Sequence, residues 1–556
     1  MAQKFPKLFL YLLGALFFLN FFQSIFTELI YDEAYYWYYA QNLSWGYFDH
    51  PPMVAFLIKL SGLVFSGELG VRFVSCILGI GTYVLIWSLV EHKDKNNYIP
   101  HFFVLLFSMV LLNAYGFLTL PDTPLLFFTA LFLYQYKKFL QNRSLMASIF
   151  LGLTMAALMY SKYHAVLVII FVLLSNLRLI TRKYAWLAVI TALICYIPHF
   201  LWLFENDFVT IKYHLFERPN HAYRFSEFTL GYLLNLIAIF GLLFPWAYWA
   251  LFTSRIKDAF TRALLFLSYG FMLFFFISSF SRRVQTQWIV IICVPMAILT
   301  YQFLLNNPKK FFWFIRVGVF SCLLLLYARL WLIHKPLLPL AYETHGNKIW
   351  VNKIITKAGN IPVVFENSYR RAPMYEFYSG NPSFSLNNFY YRRNQYSIDG
   401  AEAKMQHQKV LYVSKYAKKG DISYTHPYGS VFYGSYIEDF ESFRKLRCYV
   451  SEEPLRVSDS RKFVFKVYNP YSQNIPIEKI KIRIGYLNSY KKLKETKPLK
   501  FDMLDKNAAH LKTKDTTYLV GLLPRPGLEN LAYIRIAISG NGILPGINSN
   551  AIKLAK

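Results

Sequence analysis

The sequence predicts a polytopic α-helical membrane protein with a soluble C-terminal region of α/β and β-rich character. Three observations predict it. Hydrophobic residues make up 55% of the 556 and charged residues only 16%, a balance typical of membrane proteins. Apolar segments of spanning length recur up to about residue 335. The basic residues of that part gather in every second loop.

The apolar segments fall at about 8–30, 71–91, 99–117, 122–140, 145–161, 163–180, 184–204, 228–252, 262–280, 286–304 and 311–334, so about eleven spans are expected. Residues 53–66 are apolar but short, which fits an interfacial or re-entrant helix. The first segment follows Lys4 and Lys7 and lacks a small-residue cleavage site, so it reads as a retained span. The basic loops carry Lys4/Lys7, Lys93/Lys95, Lys137/Lys138/Arg143, Arg178/Arg182/Lys183, Arg255/Lys257/Arg262 and Lys309/Lys310. Positive loops stay in the cytoplasm. The N-terminus is therefore expected there and the C-terminal region outside.

Residues 1–337 are expected to form the membrane domain, 338–425 a small α/β domain and 426–556 a β-rich domain. Residues 361–366 and 409–414 read as strands and 371–378 as a helix. Beyond about 425, the stretches Arg461–Tyr468, Glu478–Tyr486, Thr516–Leu523 and Leu531–Ser539 alternate or run β-branched between turn residues, as in a β-sandwich.

The formal net charge of +29 does not require nucleic acid. Many cations sit in short loops, and anionic lipid or phosphate-bearing substrates account for the rest. Four of the five cysteines lie in apolar segments, so no disulfide framework is expected. P-loop, dinucleotide and Gly-x-Ser-x-Gly patterns are missing, which removes support for ATP-driven transport and serine hydrolysis.

The unusual polar residues gather on the face opposite the basic loops. Asp32 and Glu33 follow the first span, among eight Tyr and Trp residues in 31–52. A partly desolvated carboxylate there can act as a general base or bind a metal. A hydrated pair that ends a helix is the plainer alternative. Asp49-His50-Pro51-Pro52 holds its two polar side chains in defined directions, because the prolines fix an extended backbone. His50 can donate to phosphate and Asp49 can ligate a cation. A Pro-terminated turn is the alternative. Asp122, between Pro121 and Thr123-Pro124, is a functional acid or an N-cap, and the two are compatible. Lys162 is a phosphate clamp or a snorkelling lysine. Arg282 and Arg283 break the charge trend and suit an anionic ligand. His214, in the long loop at 205–227, can bind metal or phosphate, though a loop histidine is more often solvated.

Several of these motifs occur together in one known family. They are Asp32-Glu33-Ala34-Tyr35-Tyr36, Gly46-Tyr47-Phe48-Asp49-His50-Pro51-Pro52, Pro121-Asp122-Thr123-Pro124, Ser161-Lys162-Tyr163, and Tyr213-His214 after Trp202–Asp207. Ser368-Tyr369, Glu376-Phe377-Tyr378 and Arg392-Arg393-Asn394-Gln395-Tyr396 follow in the soluble part. Their order resembles the GT-C superfamily of membrane glycosyltransferases, in particular the bacterial protein-mannosyltransferase-like group and the aminoarabinose transferases of lipid A. The resemblance covers roughly residues 8–400.

That resemblance implies a GT-C fold and transfer of a sugar from a polyprenyl-phosphate donor, with inversion, outside the bacterial inner membrane. The acceptor would be a lipid, glycan or protein. Nucleic acid and a nucleotide cofactor play no part, and a divalent cation is the implied cofactor. By analogy Asp32, Glu33 and Asp122 are the catalytic acids, with Asp32 the base. His50, Lys162, Arg282, Arg283 and Tyr35 are placed at the donor phosphate, and Asp49 with His214 at the metal. Two departures stand out: Tyr35 replaces an arginine of some relatives, and His50 replaces a lysine. The rival readings are a transporter or flippase of lipid-linked glycan and a non-catalytic glycan-binding scaffold.

Overall fold

The computed structural model describes residues 5–218, 220–450, 454–455, 462–506, 508–540 and 542–555. The expected Lys4, and Arg461 at the start of one expected strand, lie outside the described residues. The chain divides into two compact units. One comprises residues 1–207 and 223–345; the other comprises 208–222 and 346–556.

The first unit is all helical. Its helices are α1 (Lys7–Phe26), α2 (Tyr31–Gln41), α3 (Met53–Gly62), α4 (Gly67–Leu89), α5 (Ile99–Phe107), α6 (Val110–Ala114), α7 (Asp122–Gln141), α8 (Leu145–Ser161), α9 (Ala165–Ser175) and α10 (Lys183–Glu205). A four-residue helix, α11 (Val209–Lys212), belongs to the second unit. The first unit resumes with α12 (Thr229–Ala238), α13 (Phe244–Thr253), α14 (Ala259–Ser278), α15 (Cys293–Asn306) and α16 (Phe311–Ile333).

Every apolar segment expected from the sequence is largely helical, but several are interrupted. The 99–117 segment divides at Ser108-Met109 into α5 and α6. The 228–252 segment bends by 99° between α12 and α13. Gly241 sits at the bend with φ +57°, a left-handed conformation that only glycine adopts without cost. Among the described residues five helices are long and apolar enough by themselves to cross a membrane, and the bent pair makes a sixth if it is one span. Four further apolar helices of 10–17 residues are shorter than a span. α7 reaches 20 residues but carries Asp122, Lys137 and Lys138. The chain is a multi-pass membrane protein.

Polar side chains hold the helices where no water can satisfy them. Arg329 of α16 donates to Asn20 Oδ1 of α1 at 2.9 Å and to Asn113 Oδ1 of α6 at 2.9 Å. Its guanidinium lies 4.4 Å from the Phe117 ring centroid.

The second unit begins with an α/β layer. Its elements are α17 (Asn347–Ala358), β1 (Val363–Glu366), α18 (Arg371–Ser379), β2 (Ser383–Leu386), β3 (Val410–Ser414), β4 (Ile422–Thr425) and β5 (Val431–Ile437). The strand order is β2-β1-β3-β5-β4. β1 runs parallel to β2 and β3, and β5 is antiparallel to β3 and β4.

A β-rich layer follows: β6 (Arg447–Val450), β7 (Lys462–Tyr468), β8 (Ile475–Pro476), β9 (Ile480–Leu487), β10 (Leu493–Pro498), β11 (Lys500–Met503), β12 (His510–Leu511), β13 (Thr516–Leu522), β14 (Tyr533–Gly540) and β15 (Ile552–Lys553). Two four-stranded sheets, β10-β9-β14-β15 and β11-β13-β7-β6, share one core. Phe465, Val467 and Leu519 from one meet Ile482, Ile484, Ile536 and Ile538 from the other. The alternation that marked these strands in the sequence is the inward-outward pattern of a sandwich.

Candidate functional site

In the helical unit the stretch 31–52 is a folded element rather than a loose loop. Helix α2 begins at Tyr31, whose amide donates to Glu343 Oε2 at 3.2 Å. Glu33, at the third helical position, reaches back to accept from the Ile30 amide at 3.2 Å, one half of a capping box. Its carboxylate is fully buried and also takes Arg72 Nε at 2.8 Å, Arg72 Nη2 at 2.5 Å and the Thr119 amide at 2.9 Å. Arg72 in turn donates to the carbonyls of Ser24, Thr27 and Glu28. The two expected acids therefore separate. Glu33 is engaged on both oxygens, while its neighbour Asp32 is only half-buried.

The aromatic residues of α2 make the floor. Tyr35, 2% exposed, packs its ring 4.7 Å from Tyr39. Tyr39 stacks on Tyr47 at 4.2 Å with the rings nearly parallel. The Tyr47 hydroxyl donates to the Tyr39 carbonyl and accepts from the Ser44 amide, which closes the turn after α2. His50 packs edge-on against Tyr36 at 5.5 Å. Asp49 is buried and lies in electrostatic range of Tyr39.

Gly46 is required by a close approach. A Cβ there would lie 2.3 Å from the Trp202 ring. Beside it His199, fully buried in α10, contacts the Trp45 carbonyl through Nδ1 at 2.6 Å and the Tyr163 hydroxyl through Nε2 at 3.1 Å. The sequence reading missed His199, Arg72 and Glu343. A histidine and an arginine inside apolar segments were the available signal.

Asp122 and Lys162, read separately in the sequence, meet directly. Lys162 Nζ donates to Asp122 Oδ1 at 2.6 Å, and both residues are buried. Asp122 opens α7 and Lys162 closes α8, so the pair ties those helix ends together. Buried Tyr115 lies in electrostatic range of both Asp122 and Asp32, which places the two acids in one neighbourhood.

Arg282 continues the end of α14 through its amide bond to the Ser278 carbonyl, and Arg283 is exposed. His214 belongs to the second unit, in a π-helical turn beside Tyr213. Among the described residues no three His, Cys, Asp or Glu side chains converge as a metal site would require. Asp49 and His214 do not make such a donor set by themselves.

Comparison with known proteins follows the same lines. The family described as dolichyl-phosphate-mannose-protein mannosyltransferase matches residues 49–202. A lipid A galacturonosyltransferase, RgtD of Rhizobium johnstonii, is 25% identical over 302 residues, or 51% of this chain. The match spans 62% of that relative, less than two thirds of its length. ArnT from Cupriavidus metallidurans in its apo state superposes with a TM-score of 0.56 at 12% identity, covering 77% of this chain and 97% of ArnT. ArnT bound to undecaprenyl phosphate gives a TM-score of 0.54 at 14% identity, with the same coverage. The structural likeness is one of fold.

Proposed function

We propose that this chain is an integral membrane glycosyltransferase of the GT-C superfamily and transfers a sugar from a polyprenyl-phosphate donor to a lipid or glycan acceptor outside the cytoplasm. The relation to a lipid A galacturonosyltransferase and the fold shared with an undecaprenyl-phosphate-bound transferase support the donor and acceptor classes. The loop charges support a cytoplasmic N-terminus and an extracytoplasmic soluble unit in the inner membrane.

The observation that carries the reading is the division of labour between Asp32 and Glu33. Arg72 and two backbone amides engage Glu33, which fixes α2. Asp32, one position along and half-buried, is the carboxylate we assign to take the acceptor proton. The acceptor oxygen attacks the anomeric carbon from the face opposite the phosphate, and the configuration inverts. The polyprenyl phosphate leaves as an anion.

Cations at the leaving group supply the electrostatic part of catalysis. Lys162 is our first candidate. Asp122 accepts from one of its three donors and orients the ammonium. His50, Arg282 and Arg283 are further phosphate candidates, and Tyr35 lines the floor beneath.

The test uses purified protein in nanodiscs with a radiolabelled polyprenyl-phosphate sugar and a lipid acceptor. Asp32→Asn is expected to abolish transfer while donor binding survives. Undiminished transfer by that variant would remove Asp32 from the base role.

A further inference from the structure

The soluble unit holds a second polar cluster that the glycosyl-transfer site does not use. It lies at the carboxyl ends of the parallel strands. From β1 the chain leaves through α18 to β2, on one side of β1. From β3 it leaves to β4 and β5, on the other side. The outgoing connections diverge between β1 and β3, and in open α/β sheets ligands settle at that point.

The floor there is polar and preorganised. Glu366 ends β1 and Ser414 ends β3, and the Ser414 hydroxyl donates to Glu366 Oε2. Asn388, just beyond β2, donates to Glu366 Oε1 at 2.7 Å, and its amide donates to Asn367 Oδ1 at 2.8 Å. Asn367 holds a left-handed backbone, φ +53°, which asparagine tolerates better than most residues. All four side chains are buried.

Aromatic rings and cations rise around this floor. Arg392 lies 4.3 Å from the Tyr369 ring centroid and donates to the Tyr213 hydroxyl at 3.1 Å. Tyr369 packs against Tyr391 at 6.3 Å, and Tyr391 lies in electrostatic range of Arg370, Arg392 and Tyr416. Tyr416 is 57% exposed and carries Lys415 over its ring. Flat rings offer faces to the C–H surfaces of a pyranose, and forked guanidinium groups suit phosphate or carboxylate.

We propose that this switch-point cluster binds an anionic saccharide, the glycan portion of the acceptor, through Tyr369, Arg392 and Tyr416. The proposal rests on the glycosyltransferase reading for its biological role but not for its chemistry. Phosphate and uronic acid carboxylate present the same anionic feature, and the probes separate them.

The experiment measures binding to the full-length protein in nanodiscs. The probes are a glucosamine disaccharide carrying two phosphates, a uronic-acid disaccharide, the neutral disaccharide and inorganic phosphate. At least one anionic disaccharide is expected to bind about tenfold more tightly than the neutral sugar or phosphate. Arg392→Ala and Tyr416→Ala are each expected to weaken it by about tenfold, and Arg392→Lys by less. Tyr416 is largely exposed, so its variant tests the site without disturbing the fold; unchanged melting temperatures check this. Equal affinities for the wild type and both alanine variants would overturn the proposal, as would binding of inorganic phosphate as tight as that of the sugars. Transfer from a polyprenyl-phosphate sugar is assayed in parallel. Absent transfer with variant-sensitive saccharide binding sinks the enzymatic reading and keeps this site; intact transfer with variant-insensitive binding does the reverse.

Discussion

Arg72 of α4 and Glu33 of α2 form an ion pair 2.5 Å long with both side chains fully buried. Such a pair has given up all its hydration, so removing one partner strands a charge at a cost of about 3–5 kcal/mol. Arg72→Met is expected to lower the melting temperature sharply in detergent and to reduce expression. Asp32→Asn, one residue along, is expected to leave the melt near wild type while transfer is lost. Equal stability of Arg72→Met and wild type would show that the pair does not set the position of α2.

Asp122 and Lys162 combine structure with chemistry, and a double variant separates the two. Asp122→Asn leaves a buried ammonium with a neutral partner and should destabilise the protein by a few kcal/mol. Lys162→Met in the same background removes that stranded charge, so the double variant should melt closer to wild type. Transfer is expected to stay low in both: Asp122→Asn removes the carboxylate that orients Lys162, and the double variant has lost the cation itself. Recovery of activity together with stability would confine Lys162 to a structural part.

The soluble unit carries its own pH dependence. Burial pushes the Glu376 carboxyl in α18 up to about 7, against a hydrogen bond from Ser383 and the charge of Lys404, which act to lower it, while Asp399 raises it. The folded pKa lies above the unfolded one, so the protonated form is favoured by folding. Its stabilising contribution is present in full below about pH 4.5 and is lost as pH rises through about 7. Glu376→Gln should therefore raise the melting temperature of the soluble unit at pH 8 and change it little at pH 4.5. His426 runs the other way. Burial and the charge of Arg371 lower its pKa to about 4, so its penalty grows as pH falls from about 6.5. A Glu376→Gln effect that is the same at both pH values would contradict this linkage.

Residue type and spacing made the apolar helices, six of the strands (β1, β3, β7, β9, β13 and β14) and the candidate acids legible, because hydrophobic periodicity is a local signal. What the sequence could not show was pairing. Arg72 lies 39 residues from Glu33, and Lys162 lies 40 residues from Asp122, so Arg72 went unread and Lys162 was visible only as a separate residue. Breaks inside apolar segments were hidden too, since Gly241 reads as an ordinary small residue until its φ is known. Gly46 likewise owes its role to Trp202, which packs where a side chain would stand. Gly46→Ala is expected to cost about 1–3 kcal/mol through that overlap, readable as a lower melting temperature. The assignment of 208–222 to the soluble unit ran against chain continuity, because the segment lies between helices of the membrane part.

That segment leads to the last prediction. The turn between β9 and β10 grips it. The Asn220 amide donates to the Tyr490 carbonyl at 3.1 Å, Lys491 donates to the Phe216 carbonyl, and Lys492 Nζ contacts His221 Nδ1 at 2.7 Å. At the segment's other side Arg393 approaches Glu217 at 3.9 Å, and Arg392 donates to the Tyr213 hydroxyl at 3.1 Å. His214 therefore owes its position to strands more than 250 residues further along the chain, and the β-rich layer acts as the support of a loop that leaves the membrane part. Exposed contacts of this kind contribute up to about 1 kcal/mol each. The double variant Lys491→Ala, Lys492→Ala should then raise hydrogen exchange at the amides of Arg218 and Asn220 by about five- to tenfold. The strands β9 and β14, paired along their full length, should keep their protection. Unchanged exchange at Arg218 and Asn220 would mean that the Arg392 and Arg393 contacts alone hold the segment, and the same measurement on Arg392→Ala would then show the rise instead.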